Sequence, residues 1–204
     1  MKNLTTLIVS VLFVGLIFSG CSKDDDEKSR GSFKVDGKSY SLSKGIIESA
    51  GEWSDGVHGM FVILASDGLK LSVSEWDADF SGKGHMIILG LYSPESDGLA
   101  LGTYEYDYYS EEVFTFDVGG VVVNMDFSTE DADAAFKVDA GTVKVKESGS
   151  NYSLEFAFYT DSGDKITGSY SGPLKFYSEN FIGSTKSVSQ FDKVFSSFSK
   201  IDTN

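Results

Sequence analysis

Residues 142–158 read TVKVKESGSNYSLEFAF. Val143 and Val145 alternate with Thr142, Lys144 and Lys146. Ser148-Gly149-Ser150-Asn151 then supplies turn residues, and Tyr152, Leu154, Phe156 and Phe158 fall at every second position. A strand sends successive side chains to opposite faces, so this period of two predicts a pair of half-buried strands joined by a turn.

The same signal extends in both directions. Upstream, Phe33-Lys34-Val35 and Lys38 to Leu42 flank Asp36-Gly37, a pair that tolerates the positive φ angles of a type I′ hairpin turn. Between the two hairpins, strands are predicted over 60–65, 69–75, 86–92, 102–108, 113–118 and 121–127, punctuated by Asp67-Gly68, Asp97-Gly98 and Gly119-Gly120. Gly119-Gly120 reads as another two-residue hairpin, with Phe114 and Phe116 on one arm and Val121, Val123 and Met125 on the other. Downstream, residues 165–177 put Ile166, Tyr170, Leu174 and Phe176 on one face; Pro173 cannot donate to a ladder and belongs at an edge or bulge. No linker or change of composition divides the region, so residues 32–177 are expected to form one all-β domain, an antiparallel β-sandwich or barrel-like sandwich. Beyond it, in 178–204, Val188, Phe191, Val194, Phe195, Phe198 and Ile201 recur at three- and four-residue spacing, the pattern of a short amphipathic C-terminal helix; a frayed Ser-rich tail is the alternative.

The other end of the chain is built differently. One lysine precedes an apolar run from Leu4 to Phe18, too short for the ~20 residues of a membrane span, and Ser19-Gly20-Cys21 follows it. Phe18-Ser19-Gly20-Cys21 resembles a bacterial lipobox, which makes residues 1–20 a lipoprotein signal peptide and Cys21 the lipidated first residue of the mature chain. Cys21 is the one cysteine, so no intramolecular disulfide can form. Residues 21–31 contain Ser22-Lys23-Asp24-Asp25-Asp26-Glu27-Lys28, a charged tether unable to bury apolar surface. The acidic run resembles the export signal that follows the lipidated cysteine in Bacteroidota lipoproteins. It implies a lipid anchor in the outer membrane with the domain on the extracellular side; an anchor facing the periplasm is the alternative. Removing residues 1–20 takes away one lysine and no acid, moving the formal charge from -14 to -15. Such acidity disfavours nucleic acid as a partner.

The segments FKVDGKSYSL (33–42), Leu101-Gly102-Thr103-Tyr104, Gly141 to Val145 and ITGSYSG (166–172) together resemble small β-rich surface lipoproteins of Bacteroidota. The resemblance spans most of the mature chain and brings no catalytic residues with it.

Residue chemistry points to binding. The two histidines, His58 and His85, have no further His or Cys to complete a zinc site, and no metal or other cofactor is expected. No Gly-x-Ser-x-Gly elbow or phosphate loop is present. Carboxylate pairs such as Glu111-Glu112, or Asp77 with Asp79, are the raw material of a glycosidase but read first as solvated surface in so acidic a chain. Thr129-Glu130-Asp131-Ala132-Asp133 offers oxygen ligands without the spacing of a calcium loop. Trp53 and Trp76 lie in polar surroundings, and Tyr104, Tyr106, Tyr108 and Tyr109 cluster. Aromatic faces at a β surface stack on sugar rings, so Trp53, Trp76, Tyr106 and Tyr108 are the candidate ligand-binding residues, with core or cross-strand packing the alternative reading of the alternating tyrosines. The expectation is a non-enzymatic, surface-anchored module that binds a glycan or an outer-membrane partner protein. A structural or adhesive protein without a small ligand, and a carboxylate-based hydrolase, are the alternatives.

Overall fold

The structure, a computed structural model, describes residues 30–73 and 78–178. The expected signal peptide, Cys21, all but the end of the expected tether, nearly all of the expected C-terminal helix or tail, Trp76 and Asp77 lie outside the described residues.

Twelve strands follow in order: β1 (Gly31–Val35), β2 (Lys38–Leu42), β3 (Lys44–Ser54), β4 (Val57–Ala65), β5 (Leu69–Val73), β6 (Ala78–Ser93), β7 (Gly102–Tyr106), β8 (Thr115–Asp126), β9 (Ala134–Glu147), β10 (Tyr152–Thr160), β11 (Lys165–Gly172) and β12 (Lys175–Tyr177). No helix occurs among the described residues. The strands form one curled sheet in the order β12-β3-β4-β6-β8-β7-β9-β10-β11-β1-β2, with β5 added to the first part of β6. Pairing is antiparallel except for β12 on β3 and β7 on β8. The architecture is therefore all-β, an open barrel-like sheet whose curl encloses the core.

Two of the three hairpins read from the sequence form. Val35 pairs with Lys38 across Asp36 and Gly37, whose φ angles of 51° and 72° are those of the type I′ turn. In the second, Leu154 faces Val145 and Phe156 faces Val143, and all four side chains are buried. On the opposite face of the same pair, Lys146 and Glu155 form an exposed ion pair.

Gly119-Gly120 is not a turn. β8 runs straight through both residues, pairing Gly119 with Leu89 and Gly120 with Ile88, and neither glycine has the positive φ that a two-residue hairpin turn needs. The reason for Gly119 is close packing: a Cβ there would sit 2.7 Å from Cβ of Val138 on β9. The stretch 165–177 likewise divides. β11 ends at Gly172, and after Pro173-Leu174 the chain crosses to lie parallel to β3 as β12. Ile166, Tyr170 and Leu174 are buried as expected, whereas Phe176 is 38% exposed because it belongs to the new strand.

The inside of the curl holds the larger apolar cluster, built from Phe33, Leu42, Ile47, Leu64, Leu89, Phe116, Phe156, Phe158, Tyr170 and their neighbours. Full burial of each such side chain contributes about 1.5–3 kcal/mol. A second cluster lies on the outer face of β3, β4, β6 and β8, where Ile46, Ile63, Ile88 and Val122 meet Leu69 and Phe80 from the β5–β6 hairpin. These central strands are thus apolar on both faces, which blurs the alternation that marks a strand buried on one side.

Candidate functional site

Three side chains are aimed by irregularities in strand pairing. In β3, Ser49 pairs with Met60 and Gly51 with Gly59, so Ala50 is an extra residue; Glu52 pairs with His58 and Ser54 with Val57, so Trp53 is another. In β8, Val118 pairs with Gly90 and Phe116 with Leu91, which leaves Asp117 bulged. Bulges re-aim side chains, and they are common beside functional sites. Here Ala50, Trp53 and Asp117 all turn towards one hollow of about 220 Å³ on the outer face, walled also by Phe61, Tyr92 and Glu111.

The indole of Trp53 lies over Gly59, where any Cβ would collide with its Nε1, and meets the ring of Tyr92 edge-on at 6.0 Å. It remains 54% exposed. The Tyr92 hydroxyl donates to Oδ2 of Asp117 at 3.0 Å. Burial, together with the negative charges of Asp117 and Glu111, pushes the Tyr92 phenol far above its ordinary value, so it is a fixed donor at any physiological pH.

Glu111 arrives on the 107–114 loop, which is tightly held. The Phe114 N–H donates to the Tyr92 carbonyl at 2.8 Å, the Asp107 N–H to that of Phe116 at 2.9 Å, and the Thr115 hydroxyl to that of Glu112 at 2.7 Å. Phe114 pays for this path with a left-handed backbone, φ 65°, an outlier for a bulky residue, while its ring packs on Tyr104. Strain of this kind persists only where the surroundings over-determine it.

The tyrosines read together in the sequence separate in space. Tyr104 is core, its hydroxyl donating to the Ala100 carbonyl at 3.2 Å, and burial pushes its pKa up to about 12. Tyr106 is half-buried with its ring edge-on to Phe116 at 5.3 Å, close enough to Asp139 and Asp117 for their charges to add to burial in raising its pKa. Tyr108 is 63% exposed against Tyr109. Neither Tyr106 nor Tyr108 is among the described residues lining the Trp53 hollow. Tyr92 and Asp117 are the site residues that sequence reasoning passed over. Tyr92 closes the strand read over 86–92 with nothing in its neighbours to set it apart, and the bulge that turns Asp117 outward leaves no mark in the local pattern.

The histidines are far apart. His58 pairs with Ser93, eight residues along β6 from His85, a separation of about 26 Å at strand rise. Among the described residues no three His, Cys, Asp or Glu side chains gather as metal ligands.

No family model, curated protein or solved structure matches this chain. What the site can do is therefore argued from its own chemistry. An exposed indole, a fixed phenol and two carboxylates around a shallow hollow provide an apolar platform ringed by hydrogen-bond acceptors. At about 220 Å³ the hollow is smaller than the ~300–1,000 Å³ pockets that enclose drug-sized ligands, and suits one ring of a larger ligand.

Proposed function

We propose that this chain is a bacterial lipoprotein, anchored in the outer membrane through lipid on Cys21, whose β domain faces the extracellular side and binds a glycan without transforming it. The observation that carries the binding reading is Trp53, more than half exposed yet seated on Gly59 beside Tyr92, Glu111 and Asp117. Leaving a large aromatic in water forgoes burial energy, and a rigid indole ringed by carboxylates is suited to stacking on a sugar while the acids accept from its hydroxyls. The surface placement is supported by the lipobox-like Phe18-Ser19-Gly20-Cys21 and the acidic run after it.

Glu111 and Asp117 at one hollow also favour a second reading, a hydrolase with two carboxylates. It is the weaker one. A general acid is made by enclosing a carboxyl in apolar surroundings, whereas Glu111 is exposed and Asp117 already accepts the Tyr92 hydroxyl.

Isothermal titration of the mature chain against neutral and acidic oligosaccharides tests both. Binding is expected to weaken about tenfold or more in Trp53→Ala and to be unchanged in Tyr159→Ala, which removes an exposed aromatic elsewhere. Absence of heat with every glycan, or equal affinity in Trp53→Ala, would refute glycan binding at this hollow. Release of reducing sugar that disappears in Glu111→Gln would install the hydrolase instead.

A further inference from the structure

Every residue that lines the Trp53 hollow falls in one of two stretches of chain, 45–69 and 84–136. The first contains four Asp or Glu and the second eleven, and neither contains a lysine or an arginine. Lys44, Lys70, Lys83 and Lys137 bound the two stretches from outside, and none of them reaches the lining; nor does His58 or His85. The charge facing this hollow is therefore of one sign.

Its two carboxylates also have capacity to spare. Asp117 is oriented through Oδ2, which accepts the Tyr92 hydroxyl at 3.0 Å, while its Oδ1 has no partner among the described residues. The Glu111 side chain likewise has neither an ion pair nor a hydrogen bond among the described residues. Both charges contribute to raising the Tyr92 phenol, so both act on the space between Trp53 and Tyr92. The phenol, a neutral donor, orients one acid and cancels neither.

We propose that the sugar seated in this hollow is an amino sugar with its amine free and protonated, a hexosamine unit of a cationic glycan. The inference rests on the glycan reading of the hollow and names the class of glycan. An ammonium group is attracted to the face of an indole, the strongest of the aromatic side chains in this respect. Its N–H groups donate to Asp117 Oδ1 and to Glu111, and hydrogen bonds between ions are about twice as strong as neutral ones. A cleft lined by one sign of charge concentrates the opposite sign before contact. N-acetylation leaves the ring in place and removes the charge, so the hollow distinguishes the two forms by electrostatics. A uronic or sulfated sugar would meet two carboxylates with no cation in the lining to answer it, which excludes the acidic glycans.

Calorimetric titration of the mature chain at about pH 6.5, where a sugar amine carries its proton, compares a glucosamine tetramer, its N-acetylated counterpart and tetralysine. The glucosamine tetramer is expected to bind about tenfold or more tightly than the N-acetylated one. In Glu111→Gln/Asp117→Asn, which keeps an oxygen to accept the Tyr92 hydroxyl, the two sugars are expected to bind within about twofold of each other. Glu111→Gln alone, a change on an exposed loop, is expected to lower the preference about threefold, so the test survives a double variant that fails to fold. Equal or tighter binding of the N-acetylated tetramer would overturn the inference and leave glycan binding standing. So would an amine preference that persists in the folded double variant. Tetralysine bound as tightly as the glucosamine tetramer would reveal a bare attraction of opposite charges and overturn it too. Absence of heat with both sugars would remove glycan binding itself, and this inference with it.

Discussion

His85 is held as an acceptor. Its Nδ1 receives the N–H of Asn124, 3.1 Å away, and its ring lies edge-on to Tyr40 at 4.8 Å. Asn124 takes a left-handed backbone, φ 53°, where the pairing of β6 and β8 slips. Its side-chain amide donates to Asp133 at 2.6 Å. Burial lowers the His85 pKa, and Asp133 opposes the shift without reversing it. The folded state therefore binds this proton less readily than the unfolded chain. The contribution of neutral His85 is whole above the unfolded value of about 6.5 and is lost as pH falls from there through the lower folded value. Urea midpoints are expected to fall between pH 7.5 and 5.5, and to fall less in His85→Gln, whose amide oxygen can still accept from Asn124. Equal slopes in the two proteins would remove His85 as the cause. Asp126 acts in a different window, because the hydroxyl and N–H of Ser128 hold its carboxyl below 3.8.

At the scale of the element, the pairings depend on glycines in two different ways. Gly141 in β9 has φ +137°, and a Cβ there would collide with the backbone carbonyl oxygen of Ala157 in β10. Gly149, in the turn between the same strands, has φ +104° but open space around it. Both positions strain an L-residue, and only Gly141 adds a collision with backbone. Gly149→Ala is expected to cost about 1 kcal/mol or a little more, and Gly141→Ala at least about 2–3 kcal/mol, measured by urea denaturation. Equal costs would mean that β9 and β10 separate easily, and that their close approach is not a constraint on the sheet.

The whole molecule is a sheet whose two ends are brought together by the chain itself. β2 at one end passes through Ser43 into β3 near the other, with the Ser43 N–H donating to the Ala65 carbonyl at 2.9 Å and that of Arg30 to Leu42 at 2.8 Å. β1 enters at the same corner, so the proposed tether leaves the domain there, with Arg30 and Lys44 beside its exit. Under the proposed anchoring, the full-length protein expressed in a host with lipoprotein processing partitions into the detergent phase of a Triton X-114 separation, and Cys21→Ala moves to the aqueous phase. Wild-type protein found in the aqueous phase would refute the anchor.

How much of this was legible follows from the range of the forces involved. Asp36-Gly37 and the alternation of Val143, Val145, Leu154, Phe156 and Phe158 are written locally, because turn dihedrals and the face a strand buries depend on residues only a few positions apart. The sequence by itself therefore determined the all-β class, the hairpins at Asp36-Gly37 and at 148–151, and the inner faces they bury. β3 was missed because Ile46 and Ile47 are both buried, one on each face of the sheet, which erases the period of two. Gly119-Gly120 was misread because Val138, 19 residues from Gly119, supplies the reason for that glycine. Only the tertiary structure decided the curl of the sheet, the crossing of β12 to β3, and the meeting of Trp53 with Tyr92, Glu111 and Asp117. Those features arise from strand register and from bulges, which are set by partners far along the chain, and no local pattern encodes a partner that distance in sequence hides.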